Sequence, residues 1–117
     1  IDIEAMRMMV LKAAKAMDVL GNAEARVWVS AVKAMVPVRV CQIIDEAIQI
    51  HGATGVSQWT PLADMYMGQR TLRLADGPDE VHWFVVGRAE LARWSEDGAM
   101  DYNPKEAHRS LPVFSGP

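Results

Sequence analysis

The sequence predicts an all-α fold, a four-helix up-down bundle over residues 1–95 followed by an irregular tail over residues 96–117. Three observations lead there. Apolar residues recur at helical spacing through most of the first 95 positions. Short junctions rich in Gly, Asn, Asp and Pro interrupt that pattern at a few places. No stretch reads as a convincing strand, and no internal repeat is present.

Helix one is expected from about Ile1 to Leu20, where Ile3, Met6, Met9, Val10, Ala13, Met17 and Leu20 form an apolar stripe between charged positions. Gly21 can cap its end and Asn22 can start the next helix, so helices one and two are expected as antiparallel neighbours. Helix two is expected from about Ala23 to Ile50, kinked at Pro37 because Val36, Val40, Ile43, Ile44, Ala47 and Ile48 carry the apolar face past it. His51-Gly52-Ala53-Thr54-Gly55 stops this helix. Thr60-Pro61 reads as an N-cap followed by an N1 proline, opening helix three to about Leu74. Asp76-Gly77-Pro78 then forms a tight junction, and helix four runs to about Ser95. From Glu96 onward Gly, Asn, Ser and Pro dilute the pattern and little regular structure is expected. Helix one is apolar around more of its circumference than a surface helix needs, since Met6, Met8, Met9, Val10 and Leu11 point in several directions. Burial against other parts of the chain or other subunits is therefore expected.

Composition narrows the function classes. The chain has 117 residues, 50% hydrophobic and 23% charged, which suits one domain or a piece of a larger protein. A net charge of −3 and a pI near 5.5 offer no basic surface to nucleic acid or anionic lipid. Cys41 stands alone, which excludes an internal disulfide framework and fits a reducing compartment. No signal peptide and no membrane-spanning stretch are expected. His51, His82 and His108 have no metal-ligand spacing, so no metal site is expected. Trp28, Trp83 and Trp94 read as helix-packing residues, and the eight methionines as fillers of irregular core gaps.

Two segments carry candidate chemistry. In Arg73 to His82, RLADGPDEVH, Asp76 lies on a tight Gly-Pro junction at the mouth of a helix. An acid cluster here is an ordinary cap that favours the positive end of the helix dipole. The same carboxylate next to apolar residues also suits a catalytic base, because desolvation raises its pKa toward working pH. In Gln49 to Gly55, QIHGATG, the glycines serve a helix end or admit close approach of a cofactor to the backbone. Local pattern leaves both pairs of readings open.

Three segments in order, AIQIHGATGVS (Ala47 to Ser57), PLADMY (Pro61 to Tyr66) and RTLRLADGPDEVH (Arg70 to His82), closed by GRAEL (Gly87 to Leu91), resemble the C-terminal helical domain of the acyl-CoA dehydrogenases. The wording around Asp76 is similar to the subgroup that contains family members 10 and 11. Most of the family has a Tyr-Glu-Gly-Thr type segment there.

The resemblance implies oxidation of an acyl-CoA to a trans-2-enoyl-CoA with bound FAD: a carboxylate removes the α-proton and the β-hydrogen leaves as hydride. It places the base at Asp76 and a substrate-side backbone at Gly77. Pro78, Asp79 and Glu80 match a stretch lining the flavin. Gln49, Ile50, His51, Gly52 and Ala53 match a helix end reaching the FAD of a neighbouring subunit, and Arg88 an arginine near the CoA portion. An identical-subunit dimer or tetramer and an electron-accepting flavoprotein are the implied partners. The implied location is cytoplasmic in a bacterium, mitochondrial or peroxisomal in a eukaryote.

The sequence departs from the family pattern in four places: Asp replaces Glu as the base, Gly52-Ala53 replaces a glycine pair, Thr54 replaces a small residue, and Trp59-Thr60 replaces an acidic-aromatic pair. The family's N-terminal helical domain, β-domain and Arg-x-x-Phe-Gly segment have no counterpart here, so the remainder of the site is expected elsewhere in a longer polypeptide or in another chain. Two alternatives stand beside this reading. One is a non-catalytic helical interaction or oligomerisation module. The other is a flavoprotein of the same fold with different chemistry, such as a hydroxylase or a nitroalkane oxidase.

Overall fold

The computed structural model describes residues 1–95, and these are helical with no strand among them. The expected irregular tail and His108 lie outside the described residues. Helix α1 spans Asp2–His51, a 3-10 turn spans Gly52–Val56, α2 spans Leu62–Leu72 and α3 spans Asp79–Ser95.

Helix α1 is two arms rather than one rod. Gly21 has φ 80° and ψ 173°, non-helical torsions that a residue with a Cβ adopts at a cost. Contacts across the break identify a hairpin: Arg39 reaches Asp2 at 3.3 Å, and Lys12 Nζ lies 3.7 Å from the centre of the Trp28 ring. The antiparallel pair expected from Gly21-Asn22 is thus present. Pro37 is buried inside the second arm, and the helix continues through it with Gly21 as its non-helical position.

The second arm is the inner element of the bundle. Ala25, Ser30, Ala34, Pro37, Cys41 and Ile44 are buried and recur every three to five positions, the stripe of a helix covered along one face. Within Asp2–Val56 an 18-residue window reaches a mean hydropathy of 1.5, long and apolar enough by length and composition to cross a membrane. This corrects the expectation that no such stretch exists. No more than two charged residues fall within that window, so its apolar residues dominate the average. Ser30 and Lys33 on the second arm contact α3 and the turn before it.

Helices α2 and α3 each pack on α1 and, among the described residues, not on one another. Thr60 bonds to the carbonyls of Thr54 and Gly55 near the far end of α1, and Lys33 bonds to the Leu72 carbonyl. His82 meets Ser30. The two short helices therefore follow one another along the inner arm, with the Asp76 junction between them. The expected Thr60 cap is corrected. Pro61 is the N-cap of α2, no side chain caps it, and the Thr60 hydroxyl closes the preceding loop instead. Thr60 finds carbonyl acceptors of the folded-back 3-10 turn, a partnership that local helix-start chemistry does not contain.

The core is small and built from small side chains. Ala16, Ala25 and Ala34 are fully buried, with Met6, Cys41 and Ile44 nearly so. Met8, Met65 and Met67 are exposed, so these do not fill this chain's core as expected, and Trp83 and Trp94 are exposed as well. Alanines at the crossings let the arms approach closely, which leaves little interior for larger residues. An apolar groove of about 550 Å³ opens between the arms and α2, lined by Ile3, Met6, Val10, Val40, Ile43 and Met65 among others.

Candidate active site

The junction between α2 and α3 is built by backbone chemistry. Leu74 and Ala75 N–H both bond to the Thr71 carbonyl, at 2.9 and 3.0 Å, tightening the end of α2. The chain then turns left-handed twice, at Asp76 (φ 54°) and Gly77 (φ 99°). Pro78 follows, and the Asp79 N–H closes the turn on the Arg73 carbonyl at 3.1 Å. Asp76 is the one non-glycine residue with positive φ among the described residues. Aspartate tolerates this region better than most residues, but it still costs about 1 kcal/mol, and such outliers cluster at functional sites.

Side chains then lock the turn. Arg73 Nε donates to Asp79 Oδ2 at 2.6 Å. This hydrogen bond, more than the accompanying charge attraction, raises the arginine's pKa. Asp79 is 5% exposed, and its other oxygen, Oδ1, is buried without a partner among the described residues. Lys33 Nζ donates to the Leu72 carbonyl at 2.5 Å and to the Gly77 carbonyl at 3.1 Å. The His82 ring meets Ser30 Oγ through Nδ1 at 3.3 Å and the Asp76 carbonyl through Nε2 at 3.2 Å. A Cβ on Gly77 would lie 3.2 Å from that same Nε2, so both the torsion and the space call for glycine.

Asp76 itself is exposed, flanked by exposed Leu74 and Val81. Leu74 and Val81 are apolar side chains beside the carboxylate, and neither encloses it. Pro78 and Glu80 are exposed beside Asp76, whereas the Asp79 side chain turns inward to Arg73. Arg88 is exposed further along α3, about 14 Å from Asp79 at 1.5 Å of rise per residue.

The second segment lies at the other end of the inner arm. Gln49, Ile50, His51, Gly52 and Ala53 are all exposed, Ile50 at 84%. Gly52 caps α1 with φ 58°, donates to the Gln49 carbonyl, and has nothing within 4 Å of where a Cβ would stand. Gly55 is the buried glycine of this loop, since a Cβ there would fall 2.6 Å from the Ile48 carbonyl oxygen. From Lys33, which marks the Asp76 turn, to Gln49 the arm advances about 24 Å. The 3-10 turn makes no contact with α3. Asp76, Pro78 and Glu80 form one exposed patch and Gln49 through Ala53 another, with Asp79 turned inward beneath the first.

Ser30 and Lys33 have no place in the sequence-based expectations, and Arg73 and His82 enter them only as the ends of the Asp76 segment and, for His82, as a histidine without metal-ligand spacing. Ser30 carried a signal, as a polar residue on the apolar stripe of the inner arm, with Lys33 one turn away. Among the described residues no cluster of His, Cys, Asp and Glu could hold a metal ion.

Comparison with known proteins gives the lineage of this arrangement. Residues 1–91 match the family model for the acyl-CoA dehydrogenase C-terminal domain. The rat acyl-CoA dehydrogenase family member 11 is 54% identical over 91 residues, covering 78% of this chain and 12% of the relative. The "probable acyl-CoA dehydrogenase FadE2" of Mycobacterium tuberculosis is 50% identical over 92 residues, covering 79% and 23%. A solved structure described as a "putative acyl-CoA dehydrogenase" from Mycobacterium abscessus superposes with a TM-score of 0.78 at 48% identity, covering 80% of this chain and 23% of that one. The chain thus spans between about an eighth and a quarter of the length of these relatives. On the match of its first 91 residues, the chain belongs to the acyl-CoA dehydrogenase family, in the part formed by that family's C-terminal helical domain.

Proposed function

We propose that this chain supplies the proton-abstracting half of an FAD-dependent active site that oxidises an acyl-CoA to its trans-2-enoyl-CoA. The observation that carries the reading is Asp76: a carboxylate in a left-handed turn, held by bonds from two helices and facing outward. A cap would accept a hydrogen bond from the start of α3, and no such bond to the Asp76 side chain is among those formed there. A turn secured from behind with its carboxylate presented to solvent suits a base that meets a partner surface.

In this reading Asp76 takes the α-proton on a carboxylate oxygen while the Gly77 backbone, free of a Cβ, lets the substrate lie close. Pro78 and Glu80 form the exposed wall beside it, and Arg88 offers a cation to the CoA portion. FAD, when bound, supplies the acceptor for the β-hydride. Gln49 through Ala53 fit a nucleotide contact, because Gly52 leaves its backbone uncovered and its neighbours stand free in solvent. Their distance from Asp76 agrees with two patches serving different flavins, one of them a neighbouring subunit's.

Exposed Ile50, Val56, Trp59, Phe84 and Leu91 need cover, which supports burial against the remaining enzyme domains and further subunits. A helical interaction module would need the same cover, but it gives no reason for strain at Asp76.

The test is anaerobic addition of acyl-CoA to the complete assembly that contains this chain. Loss of the yellow flavin absorbance with formation of enoyl-CoA is expected, and Asp76→Asn should abolish both while flavin stays bound. Full-rate oxidation by Asp76→Asn would remove Asp76 from the role, and an assembly without flavin would favour the interaction module.

A further inference from the structure

The Asp76 turn is held from behind by a side-chain chain that runs from α1 through α3 to the base's own peptide. Ser30 and Lys33 lie one helical turn apart on the inner arm and both face the junction. Lys33 brackets it, bonding to carbonyls before and after Asp76. His82, in the first turns of α3, bridges Ser30 and the Asp76 carbonyl.

The hydrogen-bond roles follow from the acceptor. A carbonyl oxygen only accepts, so Nε2 carries the proton in the bond to Asp76. In the neutral ring Nδ1 is then an acceptor, and the Ser30 hydroxyl donates to it. Ser30 is 4% exposed, so its hydroxyl is fixed in the helix packing. The ring also occupies the space beside Gly77 that a Cβ would need. Backbone and ring therefore fit one another on both sides of the Asp76–Gly77 peptide.

We propose that His82, braced by Ser30, is a positioning residue for Asp76: by holding the Asp76 carbonyl it fixes the left-handed turn and so aims the carboxylate. The proposal rests on Asp76 being the base. Aspartate has a single methylene between backbone and carboxylate, so its reach is set chiefly by the peptide that carries it. Proton transfer requires hydrogen-bond distance, and small misplacements of a reacting group are costly in rate.

Three variants of the complete assembly test it, with kcat, KM, flavin content and thermal midpoint measured for each. His82→Leu fills the space without a donor and should lower kcat about 10- to 100-fold, with KM and flavin content near wild type. An α-dideuterated acyl-CoA should show a larger isotope effect with this variant, because proton removal becomes more rate-limiting. His82→Gln keeps an N–H at comparable reach and should recover most of kcat. Ser30→Ala leaves the ring but removes its brace, and should lower kcat about 3- to 10-fold.

Equal kcat in the Leu and Gln variants, or losses confined to KM or flavin content, would overturn the proposal. If His82→Leu fails to assemble, wild-type kcat in Ser30→Ala overturns it instead. Asp76→Asn separates the two ideas. An inactive Asp76→Asn beside a fully active His82→Leu sinks the positioning role alone, and an active Asp76→Asn sinks the base and the positioning role together.

Discussion

Arg73 and Asp79 are joined twice across the turn that carries Asp76: the Asp79 N–H donates to the Arg73 carbonyl at 3.1 Å, and Arg73 Nε donates to Asp79 Oδ2 at 2.6 Å. The double tie closes a loop of backbone whose middle residues are left-handed. The ends of the loop are thereby fixed while its middle stays open to solvent. Asp79 Oδ1 is buried and has no partner among the described residues, a second reason why the ion pair matters here.

Breaking the side-chain tie should destabilise the fold measurably. Asp79→Asn keeps the shape and removes the charge. It should cost about 1–3 kcal/mol, the lower part of the range for paired charges because Arg73 is a third exposed. Urea unfolding of Arg73→Met, Asp79→Asn and the double variant checks it. A coupling energy near zero would show that the backbone bond alone closes the turn.

Asp76→Gly separates strain from chemistry. Glycine relieves the left-handed torsion at φ 54° but adds freedom to the unfolded chain. Stability should stay within about 1 kcal/mol of wild type while acyl-CoA oxidation is lost. A strongly destabilised variant would mean the carboxylate holds the turn, as a cap does.

Gly55 and Gly68 should respond to alanine in opposite directions. At Gly55 the new methyl would sit 2.6 Å from the Ile48 carbonyl oxygen, which is backbone and cannot swing away. Overpacking there should cost about 1–3 kcal/mol. Gly68 lies inside α2 with open space around it, so Gly68→Ala should gain about 0.5–1 kcal/mol of helix stability. Thermal midpoints of the two variants give the comparison.

Lys12 makes stability depend on alkaline pH. Burial beside Trp28 lowers its pKa below 10.5, and Arg93 lowers it further. The folded state therefore sheds this proton before the unfolded state does. Between the lowered value and 10.5 the unfolded chain binds more protons, so Lys12 contributes rising stability with pH across that window. Lys12→Met should flatten this limb of a midpoint-against-pH profile, and an unchanged slope would assign the limb to other groups.

Much of the architecture was legible in local chemistry. Gly21 ended one arm where the apolar stripe stopped, and Gly52 ended the other with the positive φ that a helix-end glycine serves. The DGP junction separated α2 from α3 where it was expected. These features follow from torsional preference and periodicity, which neighbours in sequence set by themselves. The Thr60 hydroxyl was misread because its acceptors lie across a folded loop, where a short window sees a generic helix start.

By itself, then, the sequence determined the helices, their breaks and the residues flanking a candidate base, because these depend on spacing of a few positions. Tertiary structure decided what holds that base. Ser30 and Lys33 stand 46 and 43 positions before Asp76, and they meet its turn because α2 and α3 follow one another along the inner arm of α1. Lys33 and the His82 ring, itself met by the buried Ser30 hydroxyl, bond to backbone carbonyls, groups every residue has, so nothing in the sequence marks the acceptor. The left-handed torsion at Asp76 belongs to the same class. It is unfavourable locally and is maintained by bonds from Lys33, His82, Arg73 and Asp79, which converge once the helices have packed.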